Sequence, residues 1–150
     1  MMGTCQSIDA IEYKDTIPFV PPLKKVKVVK VYDGDTITVA SKMPWDNSPY
    51  YRFSVRLNGI DCPEMRSKDT NETLCATKAR DLLADKILHK IVTLENVDTE
   101  KYGRILADVM YNDEPVTKCL LDNHLAVEYH GGRKNCPDNW LEYFNSRSTS

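Results

Sequence analysis

Between Lys25 and Leu57 the chain runs through three β-patterned stretches before the first helical one, and that order constrains its fold more than any other feature. Valines alternate with lysines from Lys25 to Val31, but Val28 and Val29 are adjacent and shift the phase, which predicts a bulge or a sharp bend in the first strand. After a turn at Asp33-Gly34, Thr36, Thr38 and Ala40 alternate with Ile37 and Val39, so the two runs should form a hairpin. Residues 41–49 hold Pro44, Asp46, Asn47, Ser48 and Pro49 and read as a loop. Beyond it Tyr51, Phe53, Val55 and Leu57 make one apolar face, with Arg52, Ser54, Arg56 and Asn58 opposite.

Asp69 with Glu72 resembles a capping box, and Cys75, Ala79, Leu82, Leu83 and Ile87 then recur at helical spacing, which predicts one amphipathic helix over about residues 71–87. Ile91, Thr93 and Glu95 alternate with Val92 and Leu94 in a fourth strand. A turn at Lys101 to Gly103 leads to a fifth, with Ile105, Ala107 and Val109 on one side. Pro115 suits the first turn of a helix whose face holds Val116, Cys119, Leu120 and Asn123, and Trp140 to Phe144 suggest a short terminal helix. Strands and helices do not alternate one for one, which disfavours a doubly wound parallel sheet and favours an α+β barrel. The polar residues 1–22, ending in Pro21-Pro22, read as an N-terminal tail; the domain should span 23–147, with 148–150 as a C-terminal tail.

A chain of 150 residues suits one domain, which buries roughly 68–70% of the surface its unfolded form exposes and needs neither disulfides nor metal to fold. No apolar run approaches the roughly 20 residues that span a bilayer, so no membrane role is expected. Asp9, Glu12, Lys14 and Asp15 interrupt any secretion-type apolar stretch. The odd set Cys5, Cys62, Cys75, Cys119 and Cys136 lacks CxxC spacing and fits reduced thiols; an intracellular, cytoplasmic monomer is expected. A net charge of −2 argues against gripping a polyanion over the whole surface, so any nucleic-acid contact must be local. Basic residues concentrate at Lys24 to Lys30, at Arg52 and Arg56, and at Lys101 to Arg104.

Three motifs carry the chemistry: Asp33-Gly34-Asp35-Thr36, Arg56-Leu57-Asn58-Gly59-Ile60-Asp61-Cys62-Pro63-Glu64, and Lys101-Tyr102-Gly103-Arg104. Taken alone, Asp33-Gly34-Asp35 is a hairpin turn of the kind Asp-Gly favours. Asp61, however, is a second acid at a strand end, and two such acids could converge on a hard cation; calcium prefers oxygen ligands and accepts water and backbone carbonyls among them. Glu64 after Pro63 reads either as a solvated loop acid or as a base, and Arg56 and Arg104 either as surface residues or as paired donors to one phosphate. Cys62 has no histidine nearby in sequence that would make it a nucleophile.

In this order and with these intervening elements, the motifs resemble the signature stretches of the staphylococcal nuclease family, over about Lys25 to Lys134. The resemblance implies a five-stranded oligonucleotide-binding (OB) β-barrel with about three helices. It also implies calcium-dependent hydrolysis of DNA or RNA with little sequence specificity, giving 3′-phosphate and 5′-hydroxyl ends. By resemblance Asp35 and Asp61 are calcium ligands with the carbonyl of Cys62, Asp33 tunes them from behind, Glu64 is the general base, and Arg56 and Arg104 clamp the phosphate. Lys101 and Tyr102 would contact the nucleotide, and Tyr129 or His130 would supply a stacking wall. The staphylococcal enzyme has threonine where this chain has Cys62; a backbone carbonyl survives that change and a hydroxyl-held water does not. The stretch after Glu64 also looks shorter than the equivalent loop of the secreted enzyme, which bears on substrate access.

The chief alternative is a catalytically silent nucleic-acid-binding OB module. Such a loss normally shows as missing acids or arginines, and Asp35, Arg56, Asp61, Glu64 and Arg104 are all present. A purely structural barrel gives no reason for this polar set.

Overall fold

A computed structural model of the chain describes residues 6–133 and 135–147. In chain order the elements are strands β1 (Lys25–Asp33), β2 (Thr36–Lys42), β3 (Tyr50–Leu57) and β4 (Ile60–Asp61), helix α1 (Thr70–Ile87), strands β5 (Ile91–Thr99), β6 (Ile105–Tyr111) and β7 (Glu114–Pro115), helix α2 (Thr117–Asp122), strand β8 (Val127–Glu128) and helix α3 (Trp140–Asn145). The sheet runs β3-β2-β1-β5-β6, and a parallel pairing of β3 with β6 closes it, with Val55, Arg56 and Leu57 opposite Ile105, Leu106 and Ala107. The result is the closed five-stranded α+β barrel with three helices that the element order and the resemblance imply. Closure covers the edge of β3 over residues 55–57.

The valine pattern of β1 works as expected. Val26 and Val28 point into the barrel, Val29 is exposed, and the β1–β2 register shifts between Val28 and Lys30. Ile37 and Val39 of β2, Val92 and Leu94 of β5, and Ile105, Ala107 and Val109 of β6 fill the interior by the same period-2 rule. On β3 only Val55 and Leu57 are fully buried, while Tyr51 is exposed, because β3 meets β6 only over residues 55–57 and its first half extends beside β2 alone. Cys75, Ala76, Ala79, Leu83 and Ile87 form the buried stripe of α1, which packs against β1 and α3.

Three local expectations change. Asp69 does cap α1, accepting from the Asn71 N–H at 2.9 Å, but Glu72 does not complete the box. Its carboxylate instead accepts from the Glu64 N–H at 2.8 Å and the Ser67 hydroxyl at 3.0 Å, because the loop before the helix folds back over the first turn. Pro115 belongs to β7 and not to a helix: the Val116 N–H still bonds the Val109 carbonyl at 3.0 Å, so the chain leaves the sheet only at Thr117. Gly34 does not take a positive φ; a Cβ there would lie 2.8 Å from both Ala79 Cβ and Cys62 Sγ, so its glycine serves close packing and not turn geometry.

Residues 6–20 are exposed, with short 3-10 turns at Ile8–Ala10 and Tyr13–Asp15, and the chain joins the barrel at the buried Pro21 and Leu23. Cys5, Lys134 and the tail 148–150 lie outside the described residues. Cys62, Cys75 and Cys119 are free thiols. No helix among the described residues is long and apolar enough to cross a membrane.

Candidate active site

The β1–β2 turn, the end of β3, β4 with the loop after it, and the start of β6 meet at one end of the barrel. There Asp33, Asp35, Arg56, Asp61, Cys62, Glu64 and Arg104 line a single cleft of about 310 Å³. Backbone pairing brings the first two motifs together: Thr36 sits opposite Arg56 in the β2–β3 ladder, and the Leu57 N–H donates to the Asp35 carbonyl at 2.8 Å. A strand end and a turn thus deliver an arginine and an acid to the same point.

The Arg56 guanidinium organises the acids. Its Nη2 lies 3.3 Å from Asp61 Oδ1 and 3.7 Å from Asp35 Oδ2, while Nη1 and Nη2 donate to the Leu57 and Ile60 carbonyls, each at 3.1 Å. Asp61 is only 3% exposed and depends on such partners, since a buried carboxylate without them is strongly disfavoured. The Thr36 hydroxyl donates to Asp35 Oδ1 at 3.0 Å, and the Asp35 N–H donates to Asp33 Oδ1 at 3.1 Å. Burial, and then the neighbouring charge of Asp35, push the Asp33 carboxyl up to about 7. Burial chiefly, then the charges of Asp35, Asp33 and Asp61, push the Cys62 thiol well above its ordinary range, which keeps it protonated and removes it as a nucleophile.

Asp33, Asp35, Asp61 and Glu64 line the cleft together with Arg56, Arg66 and Arg104, and burial first and the Asp35 charge second hold the Asp33 carboxyl up at about 7. Among the described residues no three His, Cys, Asp or Glu side chains form a ready-made metal cage. An ion here would need backbone carbonyl and water ligands beside the carboxylates, and an all-oxygen set of that kind suits calcium better than zinc.

Glu64 lines the cleft from a loop held to α1 through its own N–H and Glu72, and by the Ser67 N–H bonded to its carbonyl at 3.3 Å. Arg104 Nε pairs with Glu100 Oε1 at 2.5 Å. Arg56 and Arg104 also border a second cleft of about 560 Å³ with Tyr129, His130 and Gly131. Tyr129 is tied by its N–H to the Gly59 carbonyl at 2.9 Å, and its ring centre lies 5.7 Å from the Arg56 guanidinium carbon. The two arginines therefore stand on the ridge between an acidic cleft and an aromatic-walled one. Lys101 and Tyr102 do not share in this: both lie exposed on the turn before β6, Tyr102 completely so with φ of 65°, and neither lines either cleft. His124 stacks on Tyr143 with ring centres 4.2 Å apart, away from the site.

Several site residues had no assigned role in the sequence. Thr36 stands inside the first motif, and its hydroxyl beside an acid was the available signal. Cys136, whose Sγ lies 3.6 Å from Asp61 Oδ2, gave no signal at all across 75 residues of chain. Glu100, which holds Arg104, looks like an ordinary surface acid until its loop is placed, and Glu72, expected only as part of a helix cap, holds the Glu64 loop instead.

Comparison with known proteins bears on the family of the chain. A family model described as staphylococcal nuclease homologue matches residues 54–146. The chain is 36% identical over 88 residues to Protein ParB of Escherichia coli, covering 59% of this chain and 42% of that protein. It is 33% identical over 86 residues to a probable endonuclease of Schizosaccharomyces pombe, covering 53% and 37%. It is 30% identical over 103 residues to an uncharacterized endonuclease of Haemophilus influenzae, covering 69% and 51%. The chain thus spans about half or less of the length of these relatives.

Proposed function

The chain belongs to the staphylococcal nuclease family, and from that premise we propose that it is a calcium-dependent phosphodiesterase that hydrolyses DNA or RNA with little sequence preference, favouring single strands and leaving 3′-phosphate and 5′-hydroxyl ends. The observation that carries this reading is the placement of Arg56 and Arg104 on the ridge between the acidic cleft and the cleft walled by Tyr129. A phosphate on that ridge receives guanidinium donors from two elements, while its nucleotide has an aromatic wall on one side.

Glu64 accepts the proton of the attacking water from the acidic side of the ridge. Arg56 and Arg104 donate to the non-bridging phosphate oxygens, whose charge grows during attack, so their contribution is larger in the transition state than in the ground state. Asp35, Asp61 and the Cys62 carbonyl would hold the calcium, which supplies Lewis acidity at the phosphate and lowers the pKa of a nearby water. Asp33 helps to orient Asp35 by accepting its backbone N–H. Tyr129 offers its ring to any base without reading its edge, whereas Lys101 and Tyr102 meet the substrate only if it extends past the clefts. The working unit is taken as a monomer with its domain at residues 23–147, and the free thiols suit a reducing cytoplasm.

The test is cleavage of single-stranded DNA with calcium, with chelator, and by Glu64→Gln at saturating calcium. A positioned acid–base group contributes about 10²–10⁴-fold, and turnover should fall by at least the lower figure while calcium binding persists. Near-normal turnover in the variant, with an unchanged pH profile, would show that Glu64 is not the base.

A further inference from the structure

One carboxylate on α1 gathers the loop that carries Glu64. Residues 62–69 form neither strand nor helix, and Glu64 itself is exposed. The Glu64 N–H donates to Glu72 Oε2 at 2.8 Å and the Ser67 hydroxyl to Glu72 Oε1 at 3.0 Å, so both oxygens of Glu72 face the loop. Ser67 in turn accepts the Asp69 N–H at 3.1 Å, and its own N–H donates to the Glu64 carbonyl at 3.3 Å. In a capping box the Glu72 side chain would reach the N–H of the N-cap Asp69 directly. Here the Ser67 hydroxyl stands between them, taking the Asp69 N–H and giving its own hydrogen to Glu72. The box is thereby widened to enclose a loop whose other end is Glu64.

The helix that bears Glu72 is a firm reference for the site. Its stripe of Cys75, Ala76, Ala79, Leu83 and Ile87 is buried, and it packs against β1. Gly34, between Asp33 and Asp35, lies so close to it that a Cβ there would stand 2.8 Å from Ala79 Cβ. Glu72 and Ala79 are separated by about two helical turns, which sets them on one side of α1 about 10 Å apart along its axis. One helix face therefore sets both the turn that carries two of the acids and the loop that carries Glu64.

We propose that Glu72 is a positioning residue for the reaction: by fixing the backbone of Glu64 to α1, it holds that carboxylate in register with Asp35 and Asp61 during attack. Its premise is the reading of Glu64 as the base. Without Glu72 the acids and the barrel stay in place, but the Glu64 carboxylate ranges over more positions, and a misplacement of about 1 Å can cost about a hundredfold in rate. Proton acceptance matters in the transition state, so the loss falls on turnover and not on the affinity for substrate or calcium.

The experiment compares cleavage of single-stranded DNA at saturating calcium by the parent, Glu72→Ala, Glu72→Gln and Ser67→Ala, each also combined with Glu64→Gln. Glu72→Ala should lower turnover by about tenfold to a hundredfold, while the Michaelis constant and the calcium dissociation constant move by less than about threefold. Glu72→Gln keeps an oxygen for the Glu64 N–H and gains an amide N–H that Ser67 Oγ can accept, so it should restore most of the rate. Ser67→Ala removes the other arm and should cost less than Glu72→Ala, because the Glu64 N–H keeps its partner. With Glu64→Gln already in place, Glu72→Ala and Ser67→Ala should each cost under about twofold more, since nothing is left for them to position.

Equal losses from Glu72→Ala in the two backgrounds would mark a general disturbance of the site and overturn the proposal, as would no recovery in Glu72→Gln. Parental turnover in Glu72→Ala beside a crippled Glu64→Gln sinks the positioning role alone. Near-normal turnover in Glu64→Gln sinks the base itself, and the positioning role with it. Thermal unfolding shows which variants keep the fold. Ser67→Ala leaves the Asp69 cap and Glu72 intact, and it decides the matter if Glu72→Ala does not fold: its loss must vanish in the Glu64→Gln background.

Discussion

Arg56 Nη2 lies 3.3 Å from Asp61 Oδ1, so the arginine expected to grip a phosphate is, without substrate, also the counter-charge of the most buried acid in the cleft. The two roles compete for one guanidinium. A cation shared by Asp35 and Asp61 would relieve Arg56 of the first role and release it for the second. Lewis acid and arginine clamp would then be linked through the same carboxylates.

Because of that linkage, lysine is the informative replacement at position 56. Arg56→Lys and Arg104→Lys keep a charge but lose the planar fork, and each should lower turnover by at least tenfold while moving the Michaelis constant only a few-fold. Steady-state kinetics on single-stranded DNA decide it; an effect confined to the Michaelis constant would mark them as uniform binding groups. Arg56→Ala is a poorer test, since breaking a buried ion pair costs about 3–5 kcal/mol and would destabilise the metal-free fold.

Calcium should support cleavage, with zinc and magnesium doing so poorly, and should raise the unfolding temperature in proportion to the logarithm of its concentration. At a hundred times its dissociation constant a ligand specific to the folded state adds about 2.7 kcal/mol. Calorimetry with and without chelator measures this. Full cleavage in excess chelator would remove calcium from the mechanism.

Asp33 ties stability to pH. Its carboxyl is raised from 3.8 to about 7 by burial and by Asp35, so between these values the folded state holds a proton that the unfolded state has lost. Stability of the metal-free protein should therefore fall as pH rises through about 4 to 7. Asp33→Asn keeps an oxygen to accept the Asp35 N–H but carries no charge. It should match the parent near pH 4 and exceed it at pH 8, as read from thermal unfolding in chelator; a constant offset at all pH values would contradict the assignment.

Gly34 is predicted to be irreplaceable for steric reasons. A Cβ placed 2.8 Å from Ala79 Cβ and Cys62 Sγ overpacks the junction between the catalytic turn and α1, and Gly34→Ala should cost about 1–3 kcal/mol. Combining it with Ala79→Gly should give a double-mutant cycle with a favourable coupling energy, even though glycine within a helix itself costs about 1 kcal/mol. Additive denaturation midpoints would place the strain elsewhere.

Features that depend on near neighbours in the chain were legible in its residues. Period-2 alternation on β1, β2, β5 and β6 and the helical spacing of Cys75, Ala79, Leu83 and Ile87 each encode which side faces inward, and such patterns are local. The adjacent Val28 and Val29 announced the bulge for the same reason. The acids and arginines of the three motifs were visible too, because they stand at the ends of recognisable strands. Features that depend on elements far apart in the chain emerged only once the barrel was assembled. Pairing β3 with β6 puts Arg104 and Arg56 on one ridge, and the fold-back of the loop gives Glu72 to the Glu64 loop instead of to its own cap. The crossing of α1 over the turn changes the meaning of Gly34. These contacts follow from how the barrel closes, and closure is a balance of packing over the whole core that no short window of residues contains.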